Sequence, residues 1–272
     1  MRTGPPKILP PCFQRRPTLL ISRNIQTRDL PPMTAPSPLL SQTADQMHAQ
    51  LAASPQAAAA LIRAGADAGL PDAQAYYGQL LLDGQGVAAD PAEAFSQFGL
   101  AAASGHVMAI NMVGRCHEKG WGTPVDPVAA AACYRRAAEA GLDWGMYNWG
   151  SALGLGAGVA QDEQAALGWF QKAAALGHAK SINFLGAFHE EGRLLPRDMD
   201  RAAQCYRIAA EGGDFRGQFN HGRLLADAGD IATAAHWMQT AATSATPAFR
   251  AMMRDHLAAS PHAALRVLTA GL

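Results

Sequence analysis

The chain has 272 residues and is 49% hydrophobic but only 7% aromatic, so it can bury a large surface and must build it mainly from alanine and aliphatic side chains. No run of about 20 apolar residues occurs, which excludes a membrane-spanning helix, and the apolar run Thr18 to Ser22 is shorter than the roughly 7 to 15 residues of a signal-peptide core. The formal net charge of zero hides six basic side chains and no acid in residues 1 to 28, leaving 16 basic against 22 acidic residues in the rest, a net of −6 that argues against nucleic acid as the main partner.

Residues 1–38 form a basic head with nine prolines (Pro5, Pro6, Pro10, Pro11, Pro17, Pro31, Pro32, Pro36 and Pro38) and no helical periodicity, which reads as disorder. Three explanations compete: an Arg-rich, acid-poor targeting segment, a tether to nucleic acid or membrane, or a chain whose translation begins at Met33. The prolines spoil the amphipathic helix of a transit peptide and favour the last.

From residue 39 onward the chain repeats itself. Ala44, Met47, His48 and Leu51 are helically spaced, and Ser54-Pro55 opens a second helix that ends at Gly69, so residues 39 to 69 read as a degenerate first unit. Then Gly78, Gly114, Gly150, Gly186 and Gly222 recur every 36 residues, as do Gly69, Gly105, Gly141, Gly177 and Gly213. The alanine pairs from Ala101-Ala102 to Ala209-Ala210 and the aspartates Asp90, Asp126, Asp162 and Asp198 keep the same step. Each unit divides into two helices; in the third, one runs from about Asp143 to Leu155 and the other from after Asp162 to Gly177. The aspartates stand where an N-cap belongs, worth roughly 1 kcal/mol each, and Pro91 and Pro127 follow at the first helical position. The glycines of the Gly105 column close the second helix. Those of the Gly78 column fall mid-helix, where a side chain would clash with a neighbouring helix, and the paired alanines are expected to face them.

The chemistry-bearing residues look different in this frame. Cys116, His117 and Glu118 are consecutive and point about 100° apart on a helix, so they do not converge on one metal ion. They share columns with Leu80, Leu81 and Leu82, which makes them packing positions. His117-Glu118 and His189-Glu190 lie two repeats apart, too far to share an ion. His106 and His178 read as surface turn residues. Cys12, Cys116, Cys133 and Cys205 follow neither disulfide nor zinc spacing; Cys133 and Cys205 share a column with Trp169 and Trp237 and read as free core thiols of a reducing compartment. The Gly-x-Gly pairs lead into an acid-capped helix rather than Lys-Ser or Lys-Thr, which disfavours a nucleotide enzyme.

Ala73, Tyr77, Gly78, Leu81, Gly84, Gly86, Val87, Asp90, Ala94, Phe98, Ala101, Ala102 and Gly105 together resemble the Sel1-like repeat, a 36-residue relative of the tetratricopeptide repeat. Trp149, Gly150, Gly156, Gly158, Val159, Asp162, Ala166, Trp169, Phe170, Ala173, Ala174 and Gly177 match it again in the third unit. Four full units cover residues 70 to 213. In the fourth, Leu194 and Leu195 replace the second loop glycine and the valine, so its turn is expected to differ. The fifth is four loop residues shorter, with a tetratricopeptide-like turn around Gly229-Asp230. The repeat solenoid therefore spans residues 39–246. Residues 247–272 read as capping helices, one with Phe249, Met252, Met253, His256 and Leu257, the other opened by Ser260-Pro261 and carrying Leu265 and Leu268.

The resemblance implies an all-α, right-handed α/α superhelix. It also implies a non-enzymatic scaffold that binds a protein or peptide partner, by tetratricopeptide analogy through its concave groove; the missing metal spacing, signal peptide and membrane span add the expectation of a cytoplasmic chain without cofactor or metal, monomeric on its own. Once the packing columns are removed, the groove set reads Met108, Trp144, Lys180 and Arg216; Asn111, Tyr147, Asn183 and Phe219; then Arg115, Ser151 and Arg223. Asparagines would meet an extended backbone, arginines a carboxylate, and the aromatics would anchor. The alternatives are a ligand-binding or β-lactamase-like role, as in cysteine-rich relatives that carry a disulfide in each repeat where this chain does not, and a passive structural subunit of an assembly.

Overall fold

A computed structural model describes residues 43–272; the basic head, with Cys12 and Met33, lies outside the described residues. The helices, in chain order, are α1 (Ala44–Ala53), α2 (Pro55–Asp67), α3 (Pro71–Asp83), α4 (Pro91–Ala103), α5 (Val107–Lys119), α6 (Pro127–Glu139), α7 (Asp143–Leu155), α8 (Glu163–Ala175), α9 (Ala179–Glu191), α10 (Met199–Glu211), α11 (Phe215–Asp227), α12 (Ile231–Ser244), α13 (Pro247–Ala258) and α14 (Ala263–Arg266), followed by a 3₁₀ turn (Val267–Gly271). No strand occurs among the described residues, and from α1 to α12 each helix packs on the one before it and the one after, the pattern of an α/α solenoid.

The capping logic holds residue by residue. The side chains of Asp90, Asp126, Asp162 and Asp198 accept from backbone N–H groups of the first turns of α4, α6, α8 and α10. Ser54 caps α2 in the same way, accepting from the N–H of Ala57 at 3.1 Å. Helix α14 departs from expectation: it is one turn long, has no side-chain cap, and begins at Ala263 rather than directly after Pro261. Leu265 is nonetheless buried and Leu268 packs beside it.

The mid-helix glycines admit a close approach, and the group that approaches differs from expectation. A Cβ at Gly78 would lie 2.8 Å from the Phe98 ring, and one at Gly114 or Gly186 would lie 2.7 Å from the ring of Tyr134 or Tyr206. The aromatic of the second helix therefore lies across the glycine of the first. The alanine pairs face the other way, toward the next repeat, where Gly145 meets Ala137 and Ala138 and Gly217 meets Ala209 and Ala210. Phe98, Tyr134, Phe170, Tyr206 and Met238 form the buried spine of the stack, each contributing about 1.5–3 kcal/mol by burial. Cys133 and Cys205, one position earlier on the helix, are only half-buried and not core thiols as expected, whereas Cys116 is fully buried.

The fourth loop also corrects the sequence reading. Leu194 keeps the left-handed backbone of its glycine counterparts, φ +64 against +71 at Gly158, so the turn is conserved although the residue is not. That conformation costs a non-glycine residue about 1–2 kcal/mol, and glycine returns about 0.5–1 kcal/mol through unfolded-state entropy. Leu194→Gly is therefore expected to stabilise the protein by about 0.5–1 kcal/mol in urea unfolding; a lowered midpoint would contradict this.

The first helices α5 and α7, and α9 and α11, approach each other closely, with no comparable approach among α2, α4, α6, α8, α10 and α12. The first helices therefore line the inner side of the curve.

Candidate functional site

The inner face is built at the N-terminal ends of α7, α9 and α11. Their N-cap positions hold Leu142, His178 and Asp214. His178 Nδ1 accepts from the backbone N–H of Ser181 at 3.3 Å, and His106 does the same for Ala109 at 3.0 Å. Both histidines are thus helix caps rather than idle turn residues, and His178 is buried. Its ring lies 4.6 Å from Trp144, edge-on, and 5.1 Å from Tyr147. Burial, and secondarily the Lys180 charge, push its pKa down to about 4 against the opposing pull of Asp143, so the imidazole is neutral at pH 7.

Lys180 completes the cluster. Its Nζ lies 4.8 Å from the centre of the Trp144 ring and 5.7 Å from that of Tyr147, a cation held over two aromatic faces. Burial, foremost, lowers its pKa, while Asp214 opposes the shift. Asp214 is buried at the start of α11 and accepts from the N–H of Gly217 at 2.9 Å; burial raises its pKa against that bond and the charges of Lys180 and Arg216. Arg216, one repeat on from Lys180, stacks 4.6 Å from Phe215 and 5.6 Å from Phe249. Trp144, Tyr147, Lys180 and Arg216 are all half-buried, so a partner could reach them.

The other expected groove residues sort differently. Asn111 and Asn183 are buried, and their side-chain oxygens accept from Asn148 at 2.8 Å and Asn220 at 3.0 Å on the next first helix. They tie repeats together and do not present amides to a ligand. Phe219 is core, packed against Phe249 and His256. Arg223 is held by Glu190, its Nη2 2.7 Å from both carboxylate oxygens, and Tyr206 donates to the same carboxylate at 2.7 Å. Arg115 stacks 5.0 Å from Trp121, and Met108 is half-buried. Ser151 donates to the carbonyl of Tyr147 at 2.9 Å.

Sequence reasoning missed a cleft of about 480 Å³ between α6, α7, α8 and α9. Its walls are chiefly apolar, with Tyr147, Phe170, Phe184 and Phe188 among them, and Phe170 and Phe184 stack 4.8 Å apart at 7°. Its signal was present in the sequence: Ser151, Ala152 and Gly154 are small at columns that hold Arg115, Phe188 and Glu190 in neighbouring repeats.

The consecutive Cys116, His117 and Glu118 do not form a thiolate centre. Burial raises the Cys116 thiol to about 11 and lifts Cys133 and Cys205 as well, so all three are protonated at neutral pH. His117 packs against Phe95 at 5.3 Å. Among the described residues no group of His, Cys, Asp or Glu is arranged to hold a metal ion, and no helix is long and apolar enough to cross a membrane.

The Sel1 repeat family model matches five consecutive segments, residues 71–106, 107–142, 145–178, 179–214 and 217–245, well over half of the chain. The chain belongs to the Sel1 repeat family. The match extends the family into the shortened fifth unit, whose turn is held by Gly229 at φ +90 and the Asp230 cap. Among solved structures, the chain is similar to a Sel1 repeat protein from Oxalobacter formigenes, at 25% identity and a TM-score of 0.68 over 84% of this chain and 98% of that one. It is also similar to c5321, a protective antigen of uropathogenic Escherichia coli with the Sel1-like repeat fold, at 26% identity and a TM-score of 0.61; the match covers 82% of this chain and half of that one. The immunity protein Pa5087 of Pseudomonas aeruginosa, 17% identical over 74% of this chain and 80% of its own with a TM-score of 0.52, shares the fold. No curated relative matches the sequence.

Proposed function

We propose that this Sel1-repeat chain is a non-enzymatic scaffold that binds a protein or peptide partner on the inner face of the solenoid. The observation that carries the reading is the half-buried patch of Trp144, Tyr147, Lys180 and Arg216, where two cations lie over aromatic rings on three successive first helices. Tryptophan, tyrosine and arginine held this way are the side chains that dominate interface energies. Rigid neighbours hold them: the Asn111–Asn148 and Asn183–Asn220 pairs fix the first helices on either side. The three described thiols, free and protonated, accord with a reducing, cytoplasmic setting, and we take the chain to be monomeric until it meets its partner.

Affinity capture with quantitative mass spectrometry, run on wild type beside a Trp144→Ala, Arg216→Glu double variant, tests this. A stoichiometric partner held by wild type and weakened at least tenfold in the variant, with the melting curve retained, is the expected result. Equal capture by both would move the interface to the outer face or the loops.

A further inference from the structure

Glu118 and Glu190 occupy one column two repeats apart, and each accepts from the tyrosine hydroxyl of its own repeat's second helix, Tyr134 and Tyr206. Around Glu190 the arrangement is closed by Arg223, reaching back from the next first helix with one nitrogen on both carboxylate oxygens. The residue that stands to Glu118 as Arg223 stands to Glu190 is Ser151, 72 positions earlier. Its short side chain turns to its own helix, and among the described residues no guanidinium takes the place of Arg223.

The volume an arginine would fill at Ser151 belongs to the cleft, for Glu118, Tyr134 and Ser151 all line it. Glu118 is held ionised: burial alone would raise its pKa, but hydrogen bonds from Lys119 and Tyr134 and the charges of Lys119 and Arg115 lower it on balance. Its direct cationic contact is Lys119, the adjacent residue, 2.6 Å away with a side chain half exposed to solvent. An ammonium on a flexible, hydrated stem is a weak competitor for a planar guanidinium that can engage the carboxylate through a fork. Arg193, also in the lining, is already bound to Glu163 at 2.9 Å, so Glu118 is the acidic group of the cleft with no arginine in direct contact among the described residues. Phe170, Phe184 and Phe188 line the same cleft and form its aromatic surface, with Phe170 against both of the others.

We propose that this cleft receives an arginine side chain of the partner polypeptide, flanked by an apolar residue that packs on the aromatic surface: the partner supplies in trans the guanidinium that Arg223 supplies in cis one repeat pair later. This rests on the scaffold reading and names the chemistry of the partner.

The test uses the full chain and an acetylated, amidated peptide, Ser-Leu-Leu-Arg-Leu-Leu-Ser, beside the same peptide with citrulline, the neutral isostere, at the centre. Calorimetric titration should show the arginine peptide binding at least tenfold more tightly than the citrulline peptide. Glu118→Gln, which keeps shape and removes charge, should bring the two to the same affinity. Ser151→Arg should close the cleft from within, abolishing peptide binding while raising the melting temperature. Equal affinities in wild type, no binding of either peptide, or full binding by a folded Ser151→Arg chain would overturn the proposal; should Ser151→Arg fail to fold, Glu118→Gln decides alone. A partner lost on Trp144→Ala, Arg216→Glu but held by Ser151→Arg would overturn the arginine cleft and leave the scaffold reading standing.

Discussion

Gly158→Ala should unfold the solenoid at a far lower urea concentration than Gly177→Ala, although both replace a glycine in left-handed backbone, at φ +71 and +83. At Gly177 nothing lies within 4 Å of an added Cβ, so alanine meets only the conformational penalty of about 1–2 kcal/mol. At Gly158 the same atom would fall 2.0 Å from the carbonyl oxygen of Pro127 and 2.3 Å from its carbon, both backbone atoms of the first turn of α6. No rotamer change relieves that overlap; the loop must leave the helix it packs on, and overpacking adds about 1–3 kcal/mol or more to the same penalty. We expect a loss of about 3 kcal/mol or more at Gly158 against about 1 at Gly177. Matching midpoints for the two variants would refute the close approach of loop to helix.

Acid should weaken the protein in a window set by His178. Its folded pKa, about 4, lies below the ordinary value of 6.5, so between those values the unfolded chain binds a proton that the folded chain refuses. Stability is then fully present above about pH 6.5 and falls as the pH drops toward 4, by about 2–3 kcal/mol. Glu118 and Glu190, whose pKa values lie below the carboxylate norm of 4.5, lose their stabilising contribution at lower pH still. His178→Asn retains an N-cap acceptor without the titration, and should flatten the profile between pH 6.5 and 4. An equal acid slope in that variant would remove His178 as the cause.

What the sequence disclosed and what it hid divide along a physical line. The 36-residue columns fixed the helix pairs, the aspartate caps and the left-handed glycines, because each of those depends on the residue and its immediate neighbours in the chain. Contacts between repeats were less legible. Cys133 and Tyr134 lie 100° apart on a helix, and their columns hold Trp169 and Phe170 in the next unit, so size could not say which faced the core. Asn111 and Asn183 look like surface residues until Asn148 and Asn220, 37 positions on, are seen to cover them. His178 reads as a turn residue because its burial comes from Trp144 and Tyr147 of the preceding repeat. That Trp144, Tyr147, Lys180 and Arg216 stay partly open was legible, since their columns change character from unit to unit, the mark of positions that packing does not dictate.

The asparagine pairs carry one more consequence, for how the length of this chain can change. They join α5 to α7 and α9 to α11, but the junction of α7 with α9 has Tyr147 and Phe184 in the same two columns, with ring centres 6.1 Å apart. The seam alternates between apolar and polar joints, and the Tyr134–Glu118 and Tyr206–Glu190 bonds and the His106 and His178 caps recur at the same spacing of 72 residues. Excising a single repeat, residues 143–178, would bring Asn111 against Phe184 and strand a buried amide, a fault of about 1–3 kcal/mol. Excising two, residues 107–178, would set Ala75 against Phe184 in place of Met112, apolar on apolar. Removal of a doublet should therefore disturb the stack less than removal of a single repeat, and the pair of repeats is the unit in which this chain can be shortened.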